Sequence, residues 1–263
     1  MLHFTITRKD NSTMKVSLIN YTGFGHANPN FAAALLVYTK NTRLEQGEDG
    51  FAKFLAMSMD ELKPQLDYIA GTLRSSWEFI DFQFQINGVT RAFTHQFVRT
   101  RTASYAQQAQ RVVDLSGVGV QMPETVANNP AARQAWEAAV ITIKDAYKEM
   151  QDAGIPNQDC RGIVPTNILT NITAKINLRT LADLVGKRQN LRAQGEYADV
   201  VRGMVACVLE VMPWVEPFLY PDRLATPALD KMLREALGDS GPLDKPEINE
   251  ALKELDKLKG AWG

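Results

Sequence analysis

The sequence has few cysteines and histidines. Among its 263 residues are two cysteines, Cys160 and Cys207, and three histidines, His3, His26 and His95. Two isolated cysteines give no disulfide framework and suit a reducing compartment. The three histidines lack the spacing of metal ligands. We therefore predict a protein without disulfides and without a metal site.

The chain also lacks a long hydrophobic run and an excess of charge of either sign. No apolar stretch approaches the roughly 20 residues that a membrane span needs, and the first residues lack the order of a signal peptide. The 29 basic residues nearly balance the 30 acidic ones, which leaves a net charge of −1. These features predict a soluble cytoplasmic protein with no overall attraction to nucleic acid or to a membrane. An anionic ligand therefore has to bind through a local cluster of arginines.

The hydrophobic pattern predicts a mixture of strands and helices. Alternation predicts strands at residues 14–19, 80–86 and 168–176. N-cap residues, capping-box spacing and helical periodicity predict helices over residues 28–38, 58–69, 129–153, 178–187, 193–212 and 226–237, and a turn at residues 87–88 followed by a helix of about ten residues. Because the elements do not alternate strictly as βαβ units, we predict an α+β fold with a small, largely antiparallel sheet flanked by several helices. We expect a single domain over residues 1–224 and a C-terminal helical extension over residues 225–263.

Residues 95–111 are the most informative segment for function. Arg99, Arg101 and Arg111 lie there among amides and hydroxyls, with almost no carboxylate to neutralise them. The guanidinium group is a rigid fork of donors that suits phosphate. If the joint between helix and strand is extended, Arg99 and Arg101 share a side. By composition alone the segment fits either a nucleotide pocket or a solvated basic edge.

A second polar group lies downstream. It comprises Arg161, Asn177, Arg179, Asp183, Arg188 and Arg192. Arg179 and Asp183 are one helical turn apart, which also fits an ordinary surface ion pair. The spacing of Arg192 and Glu196 favours an ion pair of the same kind.

The first segment resembles the signature of the flavin-dependent thymidylate synthases. That family carries Arg-His-Arg, two variable residues, serine, and a polar run that ends in Ser-x-Arg. Arg99, Arg101, Ser104 and Arg111 match this signature. The preceding residues 90–96 resemble the helix that leads into it in the family.

Two further segments resemble the same family. Residues 161–167 are similar to its Arg-x-x-Leu-Pro segment, and residues 177–197 to its block of Asn-x-Arg, arginine and Ala-Gln-x-Glu. The four blocks occur in the order of the family, and the resemblance covers residues 72–220.

This resemblance implies an FAD enzyme that methylates dUMP to dTMP, with methylenetetrahydrofolate as carbon donor and NADPH as reductant of the flavin. It implies that dUMP is bound by Gln96, Arg99, Gln107, Gln108, Ala109, Gln110, Arg111, Arg161 and Arg188. It implies FAD contacts at Ser75, Arg99, Thr100, Arg101, Gln107, Asn177, Arg179 and Asp183. Arg188 is the implied catalytic residue, because a fixed cation beside the uracil ring stabilises negative charge that develops there. The family also implies a homotetramer whose active sites are shared between subunits.

The chain departs from the family at several positions. Thr100 replaces the histidine of the signature, and Ala109 replaces its second serine; the usual asparagine at Asp183 and histidine near Leu73 are also replaced. The arginines remain. Two alternatives therefore stay open: a related flavin enzyme that modifies a pyrimidine nucleotide differently, for example by hydroxymethylation, and a non-catalytic nucleotide-binding homologue.

Overall fold

The structure is a computed structural model that describes residues 2–8, 12–41, 47, 49–72, 74–188 and 195–220. These residues belong to one compact unit, residues 1–221. The expected extension over residues 225–263, with the helix predicted at 226–237, lies outside the described residues, and so do Leu73 and Arg192. None of the described helices is both long enough and apolar enough to cross a membrane.

The described residues form strands and helices in a mixed order. The strands are β1 (Leu2–Thr7), β2 (Thr13–Tyr21), β3 (Asp81–Thr90), β4 (Ser104–Gln107) and β5 (Leu169–Asn177). The α-helices are α1 (Phe31–Lys40), α2 (Gly50–Leu55), α3 (Met59–Ala70), α4 (Arg91–Phe97), α5 (Glu124–Ala127), α6 (Pro130–Asp152), α7 (Asn157–Cys160), α8 (Leu178–Arg188), α9 (Glu196–Val211) and α10 (Glu216–Leu219). Short 3₁₀ helices lie at Arg74–Phe79, Arg161–Ile163 and Pro213–Val215.

The five strands form one antiparallel sheet in the order β1-β2-β3-β5-β4. The predicted α+β class is therefore confirmed, and the three predicted strands correspond to β2, β3 and β5. β1 and β4, which pair at the two edges of the sheet, were not predicted from the hydrophobic pattern. β4 has only four residues, and its position depends on pairing with β5, more than 60 residues away along the chain.

One face of the sheet is buried under helices. Phe82, Phe84 and Ile86 of β3 are fully buried, as their alternation with polar residues predicts. α9 packs against β1 and β2. At Gly203 a Cβ atom would lie only 2.8 Å from Cδ1 of Phe4 and 3.0 Å from Cγ2 of Val16. The helix can therefore approach the sheet this closely only because residue 203 has no side chain.

The predicted turn at residues 87–88 is wrong. β3 instead continues to Thr90 through a register irregularity between Ile86 and Val89. Gly88 has a φ of 68°, and a Cβ there would collide with the carbonyl oxygen of Thr13. The helix that follows is α4, which has seven residues and begins at Arg91 rather than at Val89. Pairing with β5 outweighs the helical spacing of the apolar residues.

The local helix signals are confirmed with two shifts, at the starts of α1 and α9. The helix predicted from residue 193 begins instead at Glu196, because Gly195 before it has a non-helical φ of 91°. Ser58 and Glu61 form the predicted capping box of α3, and Asn129 caps α6 by accepting from the amide of Ala132. The N-cap of α1, however, is Asn30 rather than Asn28. The side-chain oxygen of Asn28 instead accepts a hydrogen bond from the amide of Asn30 at 2.8 Å.

Candidate active site

The segment after α4 folds back as a turn before it enters β4. The hydroxyl of Tyr105 donates to the carbonyl oxygens of Phe97 at 2.8 Å and of Thr100 at 3.1 Å, which ties the turn to the strand. Burial raises the pKa of Tyr105 to about 12, so this donor stays protonated at neutral pH. The joint is therefore a turn, and the condition under which Arg99 and Arg101 would share a side of an extended segment is not met. Arg99 and Arg101 nevertheless line one cavity, because the turn places both there.

This cavity, here called the arginine cavity, has a volume of about 570 Å³. It is lined by Gln96, Arg99, Thr100, Arg101, Thr102, Thr180, Asp183, Leu184, Lys187, Arg188 and Tyr197. Four of these side chains are cationic and one is a carboxylate. Oδ1 of Asp183 already accepts from Nη1 of Arg74 at 3.3 Å. The described lining is therefore strongly positive and suits an anionic ligand.

A second cavity of about 710 Å³ lies beside it. We call it the carboxylate cavity, because its lining includes the acidic residues Glu124, Glu196 and Asp199. Three residues, Gln96, Arg188 and Tyr197, line both cavities. Arg188 thus lies at the wall that the two cavities share.

Arg188 is the last residue of α8 and is half-buried. Its Cζ atom lies 4.3 Å from the centroid of the Tyr197 ring. Among the described residues, no carboxylate forms an ion pair with Arg188, so its positive charge is not neutralised there. The Tyr197 ring is packed edge-on by Phe93, with centroids 5.1 Å apart, and by Phe97 at 5.8 Å.

Glu196 joins three distant segments at the first turn of α9. Its Oε1 accepts from Nη2 of Arg8 at 2.5 Å and from the amide of Thr90 at 3.0 Å, and its Oε2 accepts from the Thr90 hydroxyl at 2.5 Å. Burial raises the pKa of the Glu196 carboxyl, against the opposite effect of the Thr90 hydrogen bonds and the Arg8 charge. The expected partner, Arg192, lies outside the described residues. The described partners come from β3 and from the end of β1 instead.

Several residues implied for dUMP binding are not among those that line the two cavities. Gln107 donates through Nε2 to the Thr94 hydroxyl at 2.9 Å, and Gln108 accepts from Nδ2 of Asn171 at 3.1 Å. Ala109, Gln110 and Arg111 follow β4, where Ala109 and Arg111 are exposed. Arg161 donates through Nε to the Gln158 carbonyl oxygen at 3.1 Å. Their assignment to dUMP remains a prediction.

Besides Gln107, three residues implied for FAD binding are also not among those that line the arginine cavity. Ser75 is exposed on the 3₁₀ helix Arg74–Phe79. Oδ1 of Asn177 accepts from the Thr180 amide at 2.8 Å at the start of α8. Arg179 donates to Oε1 of Glu78 at 2.7 Å. The alternative pairing of Arg179 with Asp183 is therefore wrong, because each pairs with a residue of the 3₁₀ helix.

The sequence motifs predicted no role for Tyr197, Lys187 or Thr180, although all three line the arginine cavity. Tyr197 is separated from Arg188 by eight residues and belongs to a different helix. No periodicity of the sequence relates the two. Among the described residues, no cluster of three or more histidine, cysteine or acidic side chains is arranged to hold a metal ion.

An antiparallel α+β fold that brings four cations around one cavity is suited to binding a nucleotide. Comparison with known proteins defines the family. A family model described as thymidylate synthase complementing protein matches residues 17–214, well over half of the chain. A flavin-dependent thymidylate synthase of Geobacter sulfurreducens is 32% identical over 212 residues, which cover 80% of this chain and 86% of the relative.

Relatives with the same name come from other organisms as well. The one from Pyrococcus abyssi is 32% identical over 73% of this chain and 78% of its own length, and the one from Nitratidesulfovibrio vulgaris is 35% identical over 58% and 67%. The chain belongs to the family of flavin-dependent thymidylate synthases. The resemblance drawn from residues 72–220 is confirmed, and so is the enzyme class that it implies.

Proposed function

We propose that this enzyme methylates dUMP to dTMP, with methylenetetrahydrofolate as carbon donor and NADPH as reductant of a bound FAD. The observation that carries the proposal is the position of Arg188. Its guanidinium is half-buried at the wall between the two cavities, and no described carboxylate neutralises it. A cation held in this way stabilises an anion that forms in either cavity.

The lining of the arginine cavity fits part of an FAD molecule. Arg99, Arg101 and Lys187 offer positive charge for a diphosphate, and the hydroxyls of Thr100 and Thr102 offer further hydrogen bonds. FAD, when bound, supplies the redox chemistry of the reaction. The chain supplies the charges and donors that hold and orient it. Thr100 stands where the family signature has a histidine. This replacement does not affect Arg99, Arg101 or Lys187, which supply the positive charge of the cavity.

The uracil ring of dUMP is proposed to lie against Arg188 and Gln96. Carbon 5 of uracil is a poor nucleophile, and it becomes a better one as negative charge develops on the ring and its carbonyl oxygens. The Arg188 guanidinium stabilises that charge. The Gln96 amide offers both a donor and an acceptor to the edge of the base. Both residues line both cavities, so they are placed to contact the ring where dUMP, flavin and folate have to meet.

We further propose a homotetramer in which neighbouring chains complete each site. Arg111, Arg161 and Ser75 are not among the residues of this chain that line the arginine cavity, although the family resemblance assigns them to dUMP or FAD. A site built from several chains reconciles the predicted assignment of these residues with their positions in one chain. The exposure of Arg111 and Ser75 leaves them available to a neighbouring chain.

The test follows the visible absorbance of the purified enzyme with added FAD. We expect NADPH to bleach the flavin, and the colour to return without oxygen only when dUMP and methylenetetrahydrofolate are both added. The nucleotide product is then analysed by mass, and dTMP is expected. A hydroxymethylated product identifies the alternative pyrimidine-modifying enzyme instead. Binding of dUMP without any flavin-dependent turnover contradicts the proposal and identifies a non-catalytic homologue.

A further inference from the structure

We propose that Tyr197 is a positioning residue for Arg188: its ring holds the guanidinium in place without neutralising it. The kinetic consequence of this inference rests on the proposed function. The contact between Tyr197 and Arg188 does not, because it is observed within the chain itself. Cζ of Arg188 lies 4.3 Å from the Tyr197 centroid, within the range of a cation–π interaction. Tyr197 lines both cavities together with Arg188.

The chemical type of the group that contacts Arg188 determines whether the charge and the N–H donors of its guanidinium can act on a ligand. A carboxylate would also fix Arg188, but it would cancel most of the field that the guanidinium exerts on a developing anion and would occupy its donors. An aromatic face attracts the cation through its quadrupole and accepts no strong hydrogen bond. Within the part of the chain that the structure describes, the N–H groups of Arg188 donate to no carboxylate and are therefore available to a ligand in the cavities.

The ring itself is held rigidly. Tyr197 is only 9% exposed, and Phe93 and Phe97 pack edge-on against it at interplanar angles of 90° and 88°. At its other end, the hydroxyls of Tyr197 and Thr100 lie 3.5 Å apart. The adjacent residue, Glu196, is bonded to Arg8 and Thr90. The start of α9 is therefore held by three sets of contacts: the two phenylalanine rings, the Thr100 hydroxyl and the partners of Glu196. These contacts keep the Tyr197 ring in position for Arg188 to pack against.

The contact is tested first without any substrate, by a double-mutant cycle on urea unfolding. The cycle compares the wild type with Tyr197→Leu, Arg188→Met and the double variant. We expect the two single changes to be non-additive, because each removes the same contact. Strict additivity overturns the proposed contact. If Tyr197→Leu does not fold, Tyr197→Met retains the apolar bulk without the ring and replaces it in the cycle.

The kinetic test compares Tyr197→Phe, which keeps the ring, with Tyr197→Leu, which removes it. For Tyr197→Leu we expect kcat to fall roughly 5- to 30-fold with a much smaller change in the KM for dUMP and with FAD still bound. We expect Tyr197→Phe to stay within about twofold of the wild type, since the ring carries the interaction. Val201→Ala is the matched control: Val201 is fully buried one turn further along α9 and is not among the residues that line the two cavities.

The outcomes separate this inference from the proposed function. A full kcat in Tyr197→Leu overturns it, as does an equal loss in Tyr197→Phe, which would assign the effect to the hydroxyl. A loss in Val201→Ala as large as in Tyr197→Leu also overturns it, since the effect is then general destabilisation of α9. A wild type without dUMP turnover but with clear coupling in the unfolding cycle contradicts the proposed function and leaves the Tyr197–Arg188 contact supported.

Discussion

Arg8 and Glu196 are 188 residues apart in the sequence, and Nη2 of Arg8 lies 2.5 Å from Oε1 of Glu196. Their side chains are only 11% and 12% exposed. The pair joins the end of the first strand to the first turn of α9, directly beside Tyr197. Loss of this ion pair is therefore expected to lower the stability of the fold and to change the position of Tyr197 in the site.

We expect Arg8→Met to lower the free energy of unfolding by about 3–5 kcal/mol at neutral pH, because it leaves the Glu196 carboxylate buried without its counter-charge. Urea unfolding measures the change. Lys63→Met is the control: its partner Asp67 lies one turn away on the surface of α3, and loss of such an exposed pair costs about 1 kcal/mol or less. Equal losses in the two variants would contradict the structural role of the Arg8–Glu196 pair.

The Glu196 carboxyl group also leads us to predict how the stability of the fold depends on pH. Burial raises the pKa of Glu196 above its usual 4.5 in the folded chain, so the folded state binds the proton more tightly than the unfolded state does. The contribution of this group to stability is therefore complete below pH 4.5 and declines as the pH rises through the folded-state pKa. Relative to Glu196→Gln, the wild type is expected to lose stability across that window.

Glu61 provides a control of opposite sign for this pH dependence. Hydrogen bonds from Ser58 lower its pKa. Relative to Glu61→Gln, the wild type is therefore expected to gain stability as the pH rises through the lowered pKa toward the unfolded value. Two curves with the same slope would show that the Glu196 assignment is wrong.

For catalysis, we expect Arg188→Ala to lower kcat by about 100-fold or more while FAD remains bound, because the substitution removes the cation that stabilises charge on the uracil ring. Steady-state kinetics and the flavin spectrum are measured on the same sample. Arg133→Ala, at an exposed ion pair on α6, should retain full activity. Undiminished turnover in Arg188→Ala would remove the catalytic role proposed for this residue.

Sharing of sites between chains is tested at Arg111. We expect Arg111→Ala to weaken dUMP binding by about 2–5 kcal/mol if the arginine contacts a buried phosphate. Arg188 lines the arginine cavity and Arg111 does not. If neighbouring chains supply the two residues to one site, hybrid tetramers of Arg111→Ala and Arg188→Ala subunits should contain some sites with both native residues. Recovered activity in the hybrids supports shared sites. Hybrids as inactive as their parents contradict them.

Local signals in the sequence predicted local structure well. The capping box of Ser58 and Glu61 and the N-cap Asn129 depend on residues three positions apart, so their identities suffice to predict the helix start. The alternation in β3 likewise reports burial on one face. In each case the interacting groups are close in the chain.

Ion-pair and hydrogen-bond partners that are distant in the sequence were not predictable in this way. Asp183 has Arg179 one turn away but pairs with Arg74, more than 100 residues distant. Thr90 looked like part of a helix, but it ends a strand and donates to Glu196. The family resemblance identified Arg99, Arg101 and Arg188, which the structure brings together, whereas the contact between Arg188 and Tyr197 required the fold.

The close packing of α9 against the sheet at Gly203 affects the position of Tyr197 in the first turn of the same helix. Gly203 lies six residues after Tyr197 on α9, roughly 9 Å along the helix axis, and its lack of a side chain sets the distance between the helix and the residues Phe4 and Val16. An added methyl group there would collide with Cδ1 of Phe4 and Cγ2 of Val16, and we expect it to push α9 away from the sheet. The ring at its first turn would then move relative to Arg188. A position that lines neither of the two cavities is therefore expected to affect the alignment of Tyr197 with Arg188, the proposed catalytic residue.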